Sequence, residues 1–264
     1  MMHLIRSYFT LTALLFYALL YSAATQAAAP SDVEALLLVS EQQVLSQRLL
    51  KNYAQIGQEV RFLAARSSHQ ESLARFESIM EQLKGYDDSA FTRLLGEMEA
   101  EWASYKKALQ QPPKAERSVE IETQAERLML LAGRLQQAII SASNPPEAII
   151  IRLVGSMIVA SEHAAAHYLL ASWDVDRERN IRLFKESVGR FDTNLITLSH
   201  APENSRQTAD IIRSLENRWA LFKEGHRVDE EAQYPDFVIR MSDSISRLLE
   251  EAKGHYATAS LPTE

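Results

Sequence analysis

At 264 residues and 46 % hydrophobic content, the chain is long enough to bury one large core or two modest ones, and its composition excludes a disordered protein. A formal net charge of −7 makes nucleic acid and anionic lipid headgroups poor partners. Cysteine is absent, which excludes disulfides, thiol chemistry and a lipid-modified N-terminal cysteine, so packing alone must hold the fold. Eight glycines and eight prolines are too few for a many-turned β protein, and the expected class is all-α.

The N-terminus reads as an export signal: Arg6 as the positive flank, an apolar run from Leu11 to Tyr21, then the small residues of Ser22 to Ala29 before Pro30. Cleavage is expected after Ala27. Removing residues 1–27 deletes Arg6 and no acid, which takes the net charge from −7 to −8. The alternative is an uncleaved anchor, because Tyr8 to Ala29 carries no charge and its 22 residues could span a bilayer. Both versions place the rest of the chain outside the cytoplasm, in the periplasm. No second long apolar run is expected beyond this segment.

Asp32 is the expected N-cap of a first helix running to about Ser67, with Leu38, Leu45, Leu49, Tyr53, Ile56, Val60 and Leu63 on one stripe. Gln42 and Ser46 share that stripe, while Arg48 and Lys51 lie together on its flank, three residues apart. A second helix is expected from Ser68 to Lys84, ended by Gly85 to Asp88, and a third from Ser89 to Gln110, broken by Pro112 and Pro113. The fourth covers Ala115 to Ser143, with Leu128, Leu131, Leu135 and Ile139 as its apolar stripe. Asn144, Pro145 and Pro146 end it, because a residue before proline is pushed out of helical geometry.

The second half repeats this plan over Ala148 to Asp174, Asp176 to His200, Asn204 to Gly225 and Pro235 to Thr258, with Val228 to Tyr234 as the longest loop. Three correspondences argue for internal duplication. ESLARF at Glu71 to Phe76 meets ESVGRF at Glu186 to Phe191 at an offset of 115 residues, and Ser46 and Tyr53 meet Ser161 and Tyr168 at the same offset. Trp102-Ala-Ser-Tyr-Lys106 meets Trp219-Ala-Leu-Phe-Lys223 at 117. The expected architecture is therefore two tandem antiparallel four-helix bundles, 31–143 and 147–258, with Trp102, Tyr105, Trp219 and Phe222 as core anchors.

Chemistry-bearing residues are few. Arg48 with Lys51 could form an anion-binding rim, with Gln42, Gln43 and Ser46 as neutral donors; equally, these groups could fix helix register, with Arg48 paired to an acid such as Glu126 or Asp243. His163 and His167 stand four residues apart on one helix face and could share a metal, for which a third ligand is missing because Glu162 points elsewhere on the helix. No H-E-x-x-H, G-x-S-x-G, phosphate-cradling loop or dinucleotide fingerprint occurs, so no enzymatic activity and no cofactor are expected. Acid pairs such as Glu97 with Glu101 read as solvated helix surface, and Asp229 to Glu231 as an exposed loop.

Val44-Leu-Ser-Gln-Arg48, followed by Lys51 and Tyr53 and echoed at Val154 to Tyr168, resembles the N-terminal domain of type IV pili methyl-accepting chemotaxis transducers, the PilJ-type domain related to the periplasmic part of nitrate/nitrite sensor kinases. The resemblance implies a helical sensor bundle outside the membrane, often in two copies. At the place of the arginine tied to nitrate or nitrite in those kinases stands Gln43, and Glu41 replaces the earlier one, so that site does not carry over. The second copy has Ser156 and Ile158 there, keeps Gly155, Ser161 and Tyr168, and replaces Arg48 by His163 and Lys51 by Ala166. No kinase, HAMP-like or methyl-accepting pattern follows the second half. The expected function is thus a sensor-type module that binds a small-molecule ligand between helices at Gln42, Gln43, Ser46, Arg48 and Lys51. It would pass the signal to a membrane receptor or envelope protein, or within a homodimer. The alternative is a structural or interaction protein of the envelope.

Overall fold

The computed structural model describes residues 29–225 and 234–258. The expected export signal, most of the Val228 to Tyr234 loop and the acidic run Asp229 to Glu231 lie outside the described residues. Those residues form an all-helical protein: α1 Asp32–Gly57, α2 Phe62–Leu83, α3 Ser89–Leu109, a short 3-10 turn Ala115–Arg117, α4 Ser118–Ser143, α5 Ala148–Ser172, α6 Arg177–Ser199, α7 Arg206–Gly225 and α8 Pro235–Thr258.

Most ends follow from local chemistry. Ser31, not Asp32, caps α1: its hydroxyl accepts from the Glu34 amide while the Glu34 carboxylate accepts from the Ser31 amide at 2.8 Å, a reciprocal box that leaves Asp32 free to accept from the Tyr86 hydroxyl at 2.7 Å. Asp88 caps α3 by accepting from the Phe91 amide at 2.7 Å. Asn144 closes α4 in the left-handed conformation, φ 45°, immediately before Pro145.

The first connection differs from expectation. The chain turns at residues 58–61 rather than at Ser67 and Ser68, through Glu59 at φ 57° and Arg61 at φ 49°. These four residues contain no glycine or proline to announce the turn. The early turn moves Leu63 off the buried stripe and leaves it 80 % exposed. The same turn recurs between α5 and α6, where Asp174 and Asp176 are left-handed at φ 60° and 37°. The matching closing bonds are Val60 N–H to Gln55 O at 2.9 Å and Val175 N–H to Leu170 O at 3.0 Å.

Side-chain bonds set the directions. Asn52 reaches Ser68 while Gln42 reaches Phe76 O, so α1 and α2 run antiparallel. Tyr53 meets Lys114 and Gln43 meets Met129, so α4 is antiparallel to α1 as well. In the second half Tyr168 accepts from the Tyr234 amide and Ser161 meets Ser242, which makes α8 antiparallel to α5. His167 meets Asn180 and His163 meets Ser187, which does the same for α6. Between the halves the sense is opposite. Ser40 abuts Gly155 near one end and Gln58 bonds Ser172 near the other, so α1 and α5 lie parallel and in register, side by side.

That position explains the burial of both leading helices. α1 is enclosed by α2, α4 and α5, and α5 by α1, α6 and α8. α1 is therefore buried on every face from Val44 to Gln55 except at Arg48, rather than along one stripe. α5 is long and apolar enough to cross a membrane, with a mean hydropathy of 1.5, which corrects the expectation of no second apolar run; it is apolar because 72 % of that window is buried inside the protein. Two core clusters flank the pair. Phe76 stacks on Trp102 at 3.9 Å in one, and Phe191 on Trp219 at 3.8 Å in the other.

Gly57 sits where only hydrogen fits. A Cβ there would lie 2.0 Å from the Trp173 ring, which caps the junction of α1 and α5 and tilts against Tyr53 at 6.2 Å. Gly57→Ala is expected to displace that ring and cost about 1–3 kcal/mol, read as a lower chemical-denaturation midpoint with an unchanged slope. An unchanged midpoint would contradict this packing.

A buried polar layer as the candidate functional site

Where α1 and α5 meet, the core is polar. Glu162, 1 % exposed, projects from α5 toward α1, and its Oε1 accepts from Arg48 Nε at 3.0 Å and Nη2 at 2.9 Å. Lys51 Nζ lies 2.7 Å from Glu162 Oε2 and 2.7 Å from Asp243 Oδ1 of α8, and Ser246 of α8 donates to Glu162 Oε1 at 3.2 Å. One carboxylate thus joins three helices. It satisfies two cations that sit three residues apart because one helical turn brings them to the same face.

Burial pushes the Glu162 carboxyl up, but Lys51 and then Arg48 pull it further down, to about 2. For Lys51, burial opposes the charge, and Glu162 and Asp243 more than reverse that effect. Arg48 is held above its usual range, chiefly by Glu162. Because the folded Glu162 value is depressed below the ordinary 4.5, its contribution to stability is complete above that value and is lost as pH falls through about 2.

The five residues expected to bind a ligand are divided by the structure. Gln42 donates to Phe76 O at 3.0 Å, Gln43 to Met129 O at 3.2 Å and Ser46 to Gln43 O at 2.7 Å, so each bonds a main-chain carbonyl. Arg48 and Lys51 are the two brought together, by Glu162. The sequence reading missed Glu162 and Ser246 as members of this layer. One signal was available: Glu162 lies 114 residues after Arg48, next to its repeat position, so leading helices packed in register would place it there.

On the adjoining face of α5, beginning at the next residue, a second cluster faces α4 and α6. His163 Nε2 lies 3.1 Å from Glu126 Oε1 and 2.9 Å from His167 Nε2. His167 Nδ1 meets Asn180 Oδ1 at 2.6 Å, and His163 Nδ1 meets Ser187 Oγ at 2.7 Å. Burial, with the neighbouring His163, holds His167 well below the usual imidazole range. Burial raises the Glu126 carboxyl, and its bond to His163 outweighs this to leave it lowered. Gln47 of α1 donates to the same Glu126 oxygen at 3.0 Å, and its own Oε1 is buried with no hydrogen-bond partner. Among the described residues, Glu126, His163 and His167 are a group whose ligand atoms lie close enough together to hold a metal.

A groove of about 390 Å³ opens beside this cluster between α4, α5 and α6, lined among others by Gln43, Met129, Gly133, Ser156, Ala160 and Arg190. Its wall touches the polar layer at two points: Met129 Sδ lies 3.6 Å from Gln47 Nε2, and Arg190 donates to Ser187 at 3.1 Å. A larger cavity of about 690 Å³ lies at the end of the first half, around Tyr53, Phe62, His69 and Pro112, away from both clusters. It is lined by Glu59, Arg66, His69, Gln70, Gln110 and Gln111 as well but by no member of either cluster, so the groove is the candidate joined to the polar layer. Comparison with protein-family models, with curated proteins and with solved structures returned no match.

Proposed function

We propose that the chain is an exported, periplasmic sensor-type module without enzymatic activity, built by duplication of a PilJ-type four-helix bundle, which binds a small ligand between helices and signals to a separate envelope partner. Duplication is supported by features that recur at one offset: the left-handed pairs Glu59/Arg61 and Asp174/Asp176, and the tyrosines Tyr53 and Tyr168 that each tie a leading helix to the loop before the last helix of their half. It is also supported by the pair of tryptophans, each stacked on a phenylalanine and donating Nε1 to an acid, Glu77 or Asp192, that also holds a lysine.

The single observation carrying the sensor reading is the polar seam between the two leading helices. Apolar residues of similar volume would hold two helices together at least as well, since desolvating an ion pair costs about as much as its attraction returns. A seam of ion pairs and histidines next to an open groove instead gives α1 and α5 a contact whose register a ligand can bias.

The test is a thermal-shift screen of small anions and small polar metabolites against the full chain. The proposal expects at least one to raise the melting temperature, and Arg190→Ala, which alters the groove wall, to abolish that rise. A flat screen would favour the structural reading, which has its own support: Gln42, Gln43 and Ser46 are satisfied by main-chain carbonyls, and Arg48 and Lys51 by Glu162.

A further inference from the structure

We infer that Glu126, His163 and His167 form a binding site for one divalent transition-metal ion of the zinc class. This inference deepens the ligand-binding reading by naming one ligand, and it rests on that reading only for the idea that occupancy matters to signalling.

Asn180 donates its Nδ2 hydrogens to Val175 O and Asp176 O, which turns its Oδ1 toward His167. Oδ1 can only accept, so His167 Nδ1 carries the proton and Nε2 presents a lone pair. Ser187 Oγ, which bonds Leu183 O at 2.9 Å and accepts from Arg190 at 3.1 Å, holds His163 Nδ1 at 2.7 Å, so Nε2 is the His163 nitrogen turned inward to Glu126 and His167. A carboxylate oxygen of Glu126 completes the set. Three possible ligand atoms, all within 4.8 Å of one another, converge there, and a metal ion can take the place of the proton that His163 Nε2 shares with Glu126 and His167.

The spacing and the outer contacts both suit a metal. Ligand atoms about 2.0–2.1 Å from a tetrahedral zinc ion stand about 3.3 Å apart. The two contacts here are 2.9 Å and 3.1 Å, so small side-chain adjustments seat an ion among them. Each imidazole has its far nitrogen bonded to an oxygen, Asn180 Oδ1 or Ser187 Oγ, the arrangement that fixes tautomer and ring orientation in metal sites. Two imidazoles and one carboxylate favour zinc, copper, nickel or cobalt over calcium or magnesium. The buried Gln47 amide, with an unpartnered Oε1, stands against the same Glu126 oxygen as an adjacent fourth polar group. Entry is on the Glu126 side, whose side chain is 31 % exposed while His163 is 6 %.

The experiment uses the full chain purified without an affinity tag and stripped with a chelator, titrated with Zn²⁺ alone by calorimetry and with Co²⁺ alone by visible absorption. The expected result is one ion per chain, a raised melting temperature, and cobalt bands of a four-coordinate nitrogen–oxygen site. Affinity should fall by about 10–100-fold in Asn180→Ala, which removes the group that orients His167 without removing a ligand, and by at least as much in Glu126→Gln. Glu126 is half-exposed, so its variant keeps the test usable if His163→Ala or His167→Ala fails to fold. Zinc binding of equal affinity in Glu126→Gln and in His200→Ala, or no binding, would overturn the inference. Absence of zinc binding together with a positive small-molecule screen would remove the metal site and leave the sensor proposal standing.

Discussion

Glu162→Gln is expected to destabilise the protein by about 3–5 kcal/mol, the usual cost of leaving a buried charge without its partner. The substitution keeps volume and shape but leaves Lys51, 3 % exposed at its side chain, with only the half-exposed Asp243. In a domain of this size such a loss lowers the melting temperature by roughly 6–20 °C. The variant should also lack the acid-linked loss of stability between about pH 4.5 and about pH 2 that Glu162 contributes in the parent. Replacing the triad together, Arg48→Met, Lys51→Met and Glu162→Leu, should be near neutral or stabilising, because desolvation and attraction then vanish together. Equilibrium denaturation of the three proteins checks this. A Glu162→Gln midpoint equal to the parent's would mean that Glu162 is not the counter-charge of Lys51.

Trp219→Ala is expected to cost about 3–5 kcal/mol by opening a large cavity in the second core. The ring is 1 % exposed, stacks on Phe191 at 3.8 Å and Phe222 at 4.8 Å, and donates to Asp192 at 2.7 Å. Trp102→Ala should cost a similar amount in the first core, where the ring stacks on Phe76 and edges Tyr105 at 6.2 Å. Because α1 and α5 are held by both halves, either variant should still unfold in a single transition, monitored by calorimetry and circular dichroism. Two separate transitions in Trp219→Ala, with the first half melting as in the parent, would contradict a shared centre.

Helix class and most boundaries were legible because they are local: Asp88, Asn144 with Pro145, and Pro235 act within a turn of where they stand. The turn at residues 58–61 was not, since Glu59 and Arg61 adopt left-handed backbone without being glycine. The offset of 115 residues did contain it, for Asp174 and Asp176 moved back by that number fall on Glu59 and Arg61. The stripe assigned to α1 had the wrong width for a similar reason. An amphipathic pattern assumes one wet face, and α1 has almost none between Val44 and Gln55.

At the site, the adjacency of Arg48 with Lys51 and of His163 with His167 followed from helical spacing. Their partners Glu162 and Glu126 come from other helices, and no local rule selects one acid among the 35 in the chain. Supplying them took the parallel packing of α1 against α5 and the antiparallel packing of α4 against α1. Glu162 does point away from the histidine pair, as its place on the helix requires; what it points toward is the other half of the molecule.

Everything at the seam depends on Ser40 meeting Gly155, 115 residues further along the chain. The Cβ atoms of residues at these two positions would stand 3.5 Å apart, within disulfide range, and the chain has no other thiol to compete. Ser40→Cys with Gly155→Cys, oxidised and analysed by intact mass and by linked-peptide mapping, is expected to give an intramolecular crosslink in nearly every molecule. Free thiols under the same conditions, or equal crosslinking when the second cysteine is moved to Val159 one turn along α5, would contradict parallel, in-register packing of the leading helices.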